Sequence, residues 1–341
     1  MNTENPTKVK AVSEIQVTSS ARLHMGFFDL HGGLGRKFGG IGVSLSAPSQ
    51  VLTASISETM QISGASSSRA FTIAQKFIER LNLKDAVCVN VQQAIPEHAG
   101  LGSGTQLALA IGTVISRLHQ INLSTLQIAE LTGRGGRSGI GIAAFDYGGL
   151  LIDGGRASSN NSSIHNLKSD IIKKVPPLLA RYEFPEKWRI LLILDNNQSG
   201  IHGDEERSAF NNLPTFSENL AAHLCRYVLM QAMPALVEHD LPAFGSAIQE
   251  LQTHVGDYFS PAQGGRYASK KVGEVLQYLK DIGVACFGQS SWGPTGFAVF
   301  EDEIEAERHL LQLKTAFTDC TLSWMICSGR NHGAEFRCCE S

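Results

Sequence analysis

The stretch "IPEHAGLGSGTQLALAIG", residues 95–112, constrains this chain more than any other. A proline and a glycine-spaced loop run straight into an apolar, helix-forming segment, so the chain must turn sharply and start a helix within a few residues. A helix N-terminus presents unpaired N–H groups and the positive end of the macrodipole, and glycines let an anion come close to the backbone. "GLGSG" followed by "TQLALAIG" has that form. Three familiar patterns fail to match it. The Walker loop needs a lysine that is absent here, and the Rossmann fingerprint needs a third glycine or alanine that Thr105 and Gln106 do not supply. The hydrolase elbow needs a glycine at Leu101, so Ser103 is not an elbow nucleophile. A stray G-x-G-x-x-A match at Gly139, Gly141 and Ala144 follows "LTGRGGRS", which is no strand.

A length of 341 residues predicts two domains of ordinary size. The hydrophobic fraction of 43% and charged fraction of 18% are those of a soluble globular protein. A net charge of −3 with no basic tail gives no support to a nucleic-acid partner. The N-terminus lacks an apolar signal core, and no apolar run approaches the roughly 18 residues of a membrane span, so a cytoplasmic protein with no membrane partner is expected. The seven cysteines form no disulfide framework. Cys327, His332, Cys338 and Cys339 lack the paired spacing of a zinc site and read as scattered thiols.

Strand-like alternation in "SEIQVTSSARLHMGFFD", "SQVLTASIS" and "AVCVNVQQAI", with the helical "SSRAFTIAQKFIERLN" before the last, predicts a β-rich layer with inserted helices. After the glycine loop and its helix comes "STLQIAELTG", with Ser124 as N-cap and Gly133 as stop. "WRILLILD" is a buried strand, and the order beyond it reads β-α-α-α-β-β-α-β, an α+β arrangement with a split β-α-β core. A boundary falls near 160–188, giving domains 1–170 and 171–341.

The glycine loop resembles the central motif of the GHMP kinase superfamily, P-x-x-x-G-L-G-S-S-A. Pro96, Gly100, Leu101, Gly102 and Ser103 match in register, and Gly104 and Thr105 occupy the following small-residue positions. Two further stretches, "ARLHMGFFDL" and "FGQSSWGPTGFAVF", resemble its outer motifs in the expected order. The resemblance implies an α+β, GHMP-kinase-like two-domain fold. Its N-terminal domain would be similar to ribosomal S5 domain 2, its C-terminal domain ferredoxin-like, with the site between them. Kinases of the superfamily carry a catalytic aspartate in a segment S-G-x-D; here Ser138, Gly139, Gly148 and Gly149 fit, but the aspartate position is Gly141. Asp146 lies more than a helical turn beyond, on another face.

That departure points to a branch that keeps the cradle without phosphorylating. "ARLHMGFFDLHGGLGRKFGGIGVSL", "PEHAGLGSGTQLALAIG", "ELTGRGGRSGIGIAAFDYGGLLIDGGR" and "SGIHGDEERSAF" resemble the β-ribofuranosylaminobenzene 5'-phosphate synthase family. The resemblance implies a decarboxylating phosphoribosyltransferase of methanopterin-type one-carbon cofactor biosynthesis. Its substrates would be 5-phosphoribosyl-1-pyrophosphate and 4-aminobenzoate or 4-hydroxybenzoate, with Mg²⁺ as cofactor and a homodimer as the assembly. Such chemistry must hold a leaving pyrophosphate and position two reactants, and its bond-forming step deprotonates no hydroxyl.

On this reading Gly100, Leu101, Gly102, Ser103, Gly104 and Thr105 take the pyrophosphate, with Arg134 beside them. Arg137 flanks the same second glycine cluster, and Arg22 and His24 share one face of an early strand; these three, with Glu205, are the catalytic candidates. Asp29 and Glu206 are metal candidates, although Asp29 could equally cap the turn "DLHGG", and "GDEER" (Asp204, Glu205, Glu206, after His202) could be an ordinary acidic first helical turn. Ser291, Gly293 and Thr295 belong to a second loop, where Trp292 either stacks on the benzoate or fills a domain interface. Two other readings remain: an ATP-dependent kinase using Asp146 or Asp29 as base, and a non-catalytic phosphate or nucleotide sensor on the same fold.

Overall fold

The computed structural model describes residues 14–157, 175–200, 208–209 and 212–339. Two long strands, β1 (Glu14–Asp29) and β3 (Gly39–Ser57), pair antiparallel and form the spine of a seven-stranded sheet. The far half of β3 pairs with β5 (Ala86–Gln93), which is flanked in parallel by β4 (Gln61–Gly64). Its near half pairs with β6 (Leu150–Asp153), and a separate two-stranded ladder joins β2 (Arg36–Lys37) to β7 (Arg156–Ala157). At the start of β1, Ile15 and Val17 alternate with half-exposed neighbours, whereas Leu23 to Phe27 are buried on both faces. The change has a physical cause: helices α2 (Ser103–Leu118) and α4 (Ile140–Asp146) pack on β1, and so does a long helix from the second half of the chain.

Helix α1 (Ser67–Leu81) packs across α2, and Gly112 eases the contact, since a Cβ there would lie 3.1 Å from Cε2 of Phe77. Helix α3 (Thr125–Leu131) starts as expected at Ser124, whose side chain forms a capping box with Gln127. Gly133, just beyond its end, adopts a positive φ of 67°.

The second sheet has the order β10 (Cys286–Gln289), β11 (Gly296–Phe300), β9 (Arg189–Asp195), β12 (Leu322–Ser328), with every pairing antiparallel. That is the ferredoxin-like arrangement. Between β9 and β10 lie α5 (Glu218–Tyr227), α6 (Met233–Glu238), α7 (Leu241–Gln263) and α8 (Lys270–Asp281); α9 (Glu303–Ala316) joins β11 to β12. Strand β9 is apolar on both faces because both are covered. Leu191 and Ile193 meet Leu276 and Leu313 of α8 and α9, while Ile190 and Leu192 belong to the core that holds Leu23, Met25, Phe244 and Leu251.

The second half of the chain also contributes strands to the first sheet. β8 (Leu178–Tyr182) pairs with β6, and β13 (Glu335–Cys339), a strand the sequence reading did not foresee, pairs with the start of β1. A further difference concerns apolar length. The helical stretch Glu218–Glu238 is long and apolar enough to cross a membrane, although the sequence reading expected no such run. Its Leu224, Val228, Ala232 and Leu236 are buried in the main core.

Candidate active site

The glycine loop bends where the sequence requires it to. Gly100 and Gly102 have φ of 80° and 82°, and α2 begins at the next residue. Gly100 has a second constraint: a Cβ there would lie 2.4 Å from the carbonyl oxygen of Ser290 and 2.8 Å from Cα of Gly293. A Cβ on Gly293 would lie 2.4 Å from the carbonyl oxygen of Ala99. The two glycine loops, almost two hundred residues apart, therefore meet backbone to backbone. Ser290 fastens them, its hydroxyl donating to Gly100 O at 2.8 Å and accepting from the His24 amide at 3.1 Å. Arg22 fastens the same turn from β1. Its amide donates to Leu101 O at 3.0 Å and its guanidinium to Gly100 O.

Above the first turn of α2 sit two further guanidinium groups. A Cβ on Gly104 would lie 2.2 Å from Nη2 of Arg69 and 3.1 Å from Nη1 of Arg134. Arg22, Arg69 and Arg134 line one cavity of about 190 Å³ together with His98, Gly100, Gly102, Ser103, Gly104, Thr105, Ser291 and Gly293. Among the described residues no carboxylate lines it. Nη1 of Arg69 and Nε of Arg134 are buried without a hydrogen-bond partner among those residues, a costly state that an anion would relieve. Burial, and then the charge of Arg69, lower the Arg134 pKa, yet it remains a cation at any physiological pH. Glu97, next to the cavity, faces Arg69 at 3.9 Å and His98 at 4.0 Å.

His24 lies on the neighbouring cavity, with Phe27, Phe259, Ser291 and Trp292; Ser291 and Trp292 line both spaces. Its ring is buried, and Nε2 has no hydrogen-bond partner among the described residues. Burial first, and then the charge of Arg22, push its pKa down to about 3, so the imidazole is neutral near pH 7. The Trp292 ring packs on Phe259 of α7 with the ring centroids 4.2 Å apart and the planes tilted by 38°.

The other candidates are placed elsewhere. One carboxylate oxygen of Asp29 accepts the amides of His31 and Gly32, both at 2.9 Å, which makes it the cap of its own turn, and Asp29 lines neither cavity. Arg137 is half-buried in the loop before α4 and lines neither cavity. Leu101 is buried in the core, and Thr295 is buried behind the second loop, its backbone oxygen accepting from Ser290. Asp204, Glu205, Glu206 and His202 lie outside the described residues.

Gly141 stands against the cradle: a Cβ there would lie 3.2 Å from Cγ2 of Thr105, and its carbonyl accepts from Gln106 at 2.8 Å. Asp146 instead accepts from the hydroxyl of Thr125 at 2.6 Å. No base therefore stands where the kinase motif would put one.

Sequence reading missed Arg69, Ser290 and Asp153. Asp153 is fully buried, and its carboxylate accepts from Ser138 Oγ and the Gly139 amide at 2.8 Å and from the Gly155 amide at 3.0 Å. Burial outweighs those bonds and pushes its pKa up to about 6. It ties the loop carrying Arg134 and Arg137 to β6. The one available signal was an aspartate closing the apolar run "LLID". For a hard cation, the oxygens at hand are the hydroxyls of Ser103 and Thr105 and the carboxylate of Glu97. Such a set suits a metal whose remaining ligands are phosphate oxygens.

This fold, with an anion cradle where its two halves meet, defines a GHMP-type protein. The family model for the GHMP kinases N terminal domain matches residues 68–149, and that for GHMP kinases C terminal matches residues 232–319. Among solved structures, homoserine kinase from Cytophaga hutchinsonii superposes with a TM-score of 0.66 at 15% identity, covering 99% of this chain and 100% of that one. Mevalonate diphosphate decarboxylase from Staphylococcus aureus gives 0.65 at 13%, covering 95% and 98%. At such identities the likeness concerns the fold alone. Sequence similarity narrows the class. A beta-ribofuranosylphenol 5'-phosphate synthase of Archaeoglobus fulgidus is 34% identical over 94% of this chain and 99% of its own length, and that of Methanothermobacter thermautotrophicus is 29% identical over 86% and 90%. The chain belongs to the beta-ribofuranosylphenol 5'-phosphate synthase family.

Proposed function

We propose that the chain is a decarboxylating phosphoribosyltransferase that joins 5-phosphoribosyl-1-pyrophosphate to a para-substituted benzoate, releasing CO₂ and pyrophosphate. Family membership supports the product class. The observation that carries the chemistry is the α2 N-terminus facing Arg22, Arg69 and Arg134, with glycine at position 141 in place of a base.

The donor's pyrophosphate takes the α2 amides, the Ser103 hydroxyl and the three guanidinium groups, which stabilise it as it leaves. Mg²⁺, held by Ser103 and Glu97 together with the phosphates, would neutralise part of the same charge. The acceptor lies toward Trp292, Phe259 and His24, so that the leaving group and the attacking carbon stand on opposite sides of the ribose C1. The ring carbon bearing the carboxylate bonds to C1 as the C1–O bond to pyrophosphate breaks. Loss of CO₂ then returns the electron pair of the C–C bond to the ring. His24, neutral and lining the cavity, serves as a hydrogen-bonding group there. The relatives' name specifies a phenol product, which favours 4-hydroxybenzoate over 4-aminobenzoate. A cytoplasmic homodimer belongs to the same reading.

Incubation with phosphoribosyl pyrophosphate, Mg²⁺ and carboxyl-labelled 4-hydroxybenzoate should release labelled CO₂ and one equivalent of pyrophosphate. ADP formation from ATP and a small alcohol, without CO₂ release from the benzoate, would overturn the reading.

A further inference from the structure

We propose that His223, Glu250 and His254 form a second metal site, selective for zinc-like divalent ions, that clamps α5 to α7. The site is independent of the reading above and lies outside both cavities described so far. Glu250 and His254 are one helical turn apart on α7 and therefore share a face, and His223 reaches them from α5. Nε2 of His223 lies 3.0 Å from Oε2 of Glu250, and Nε2 of His254 lies 3.4 Å from the same oxygen. All three ligand atoms fall within 4.8 Å of one another.

Those separations match a coordination shell. Tetrahedral zinc with bonds of about 2.0–2.1 Å holds neighbouring donor atoms roughly 3.4 Å apart. The Glu250–His254 edge is at that length, the His223–Glu250 edge is shorter at 3.0 Å, and the third lies within 4.8 Å, so side-chain rotation completes the shell. Without a metal, one carboxylate oxygen must satisfy both imidazoles. With one, the oxygen and both Nε2 atoms bind the ion, while the protons sit on the Nδ1 atoms. The ring of Tyr227 packs on His223 at 4.7 Å and limits its rotation, so part of the ordering cost is already met.

Two imidazoles and one carboxylate select Zn²⁺, Co²⁺ or Ni²⁺ over Mg²⁺ or Ca²⁺, which prefer oxygen-only shells. The half-exposed side chains leave a path for entry and a fourth position open to water. Sequence spacing gives little sign of the site, because His223 is 27 residues from Glu250. Its place has a structural consequence: α7 also carries Gln252, Val255 and Phe259, which line the His24 cavity, so an ion here would hold that wall against α5.

The test uses full-length, tag-free protein stripped with a chelator and titrated with Co²⁺. Saturation at one equivalent with visible ligand-field bands is expected, with the bands abolished by Zn²⁺ and untouched by a large excess of Mg²⁺. H223A and H254A should each weaken Co²⁺ binding by more than about a hundredfold, beyond the 10–100-fold typical of outer-shell partners. S103A should bind Co²⁺ like the unmodified chain. Circular dichroism on each variant checks that it is folded, and H223Q and H254Q replace any alanine variant that is not. Absence of saturable one-to-one binding, or binding undiminished in folded variants, would overturn the site.

Discussion

Arg69 and Arg134 illustrate how a site can be electrostatically complete yet only half readable. Arg134 stands in a glycine-rich run that announces it, but Arg69 is one cation on an ordinary amphipathic helix, and nothing local distinguishes it. Only the close approach of α1 to α2 brings the two together over Gly104. Arg69→Gln and Arg134→Gln should each weaken pyrophosphate binding about ten- to a hundredfold, as expected for a charge-assisted bond worth about 1.5–3 kcal/mol. Isothermal titration with pyrophosphate and Mg²⁺ measures this, and Arg137→Gln should cost less, since Arg137 does not line the cradle. At Asp153 the prediction concerns pH. Its folded pKa of about 6 lies above its ordinary value of 3.8, so the folded state holds the proton more tightly. This group's stabilising contribution is complete below about pH 4 and is lost as the pH rises to about 6. Urea denaturation between these limits should show a shallower fall in stability for Asp153→Asn than for the unmodified chain.

Among the elements, the legible parts were those whose pattern is local. The capping box at Ser124, the strand "WRILLILD" and the glycine-to-helix turn at 100–104 each rest on neighbouring residues. Strand β13 was not legible because the alternation in "EFRCC" spans only five residues and the segment becomes a strand by pairing with β1. The roles of Asp29 and Leu101 also turned on context, since a turn cap and a core contact leave the same residue types behind as a ligand does. Glycines on the two kinds of turn should behave differently. Gly100→Ala adds a Cβ 2.4 Å from a backbone oxygen at φ 80°, whereas at Gly133, φ 67°, nothing lies within 4 Å. The first should therefore cost several kcal/mol and the second only about 1 kcal/mol. Thermal unfolding of the two variants provides the comparison.

At the scale of the molecule, residues from both halves share the main core, with Leu23 and Met25 packed in the same cluster as Leu251 and Phe297. The expected boundary near residue 170 consequently crosses paired strands, because β8 and β13 complete the first sheet. Unfolding should be a single transition, with tryptophan fluorescence and far-ultraviolet circular dichroism coinciding; two separated transitions would indicate independent domains. A chain ending at residue 334, without β13, should lose several degrees of Tm, because β1 then has an unpaired edge.

The backbone contact between Gly100 and Gly293 also bears on synthesis. During translation the GLGSG turn emerges long before the loop that buttresses it. A partial chain therefore lacks the Ser290 hydroxyl that holds Gly100, and the cradle reaches its final shape only after the second sheet has been made. Truncated products should accordingly make poor traps for the polyphosphate that the finished protein binds.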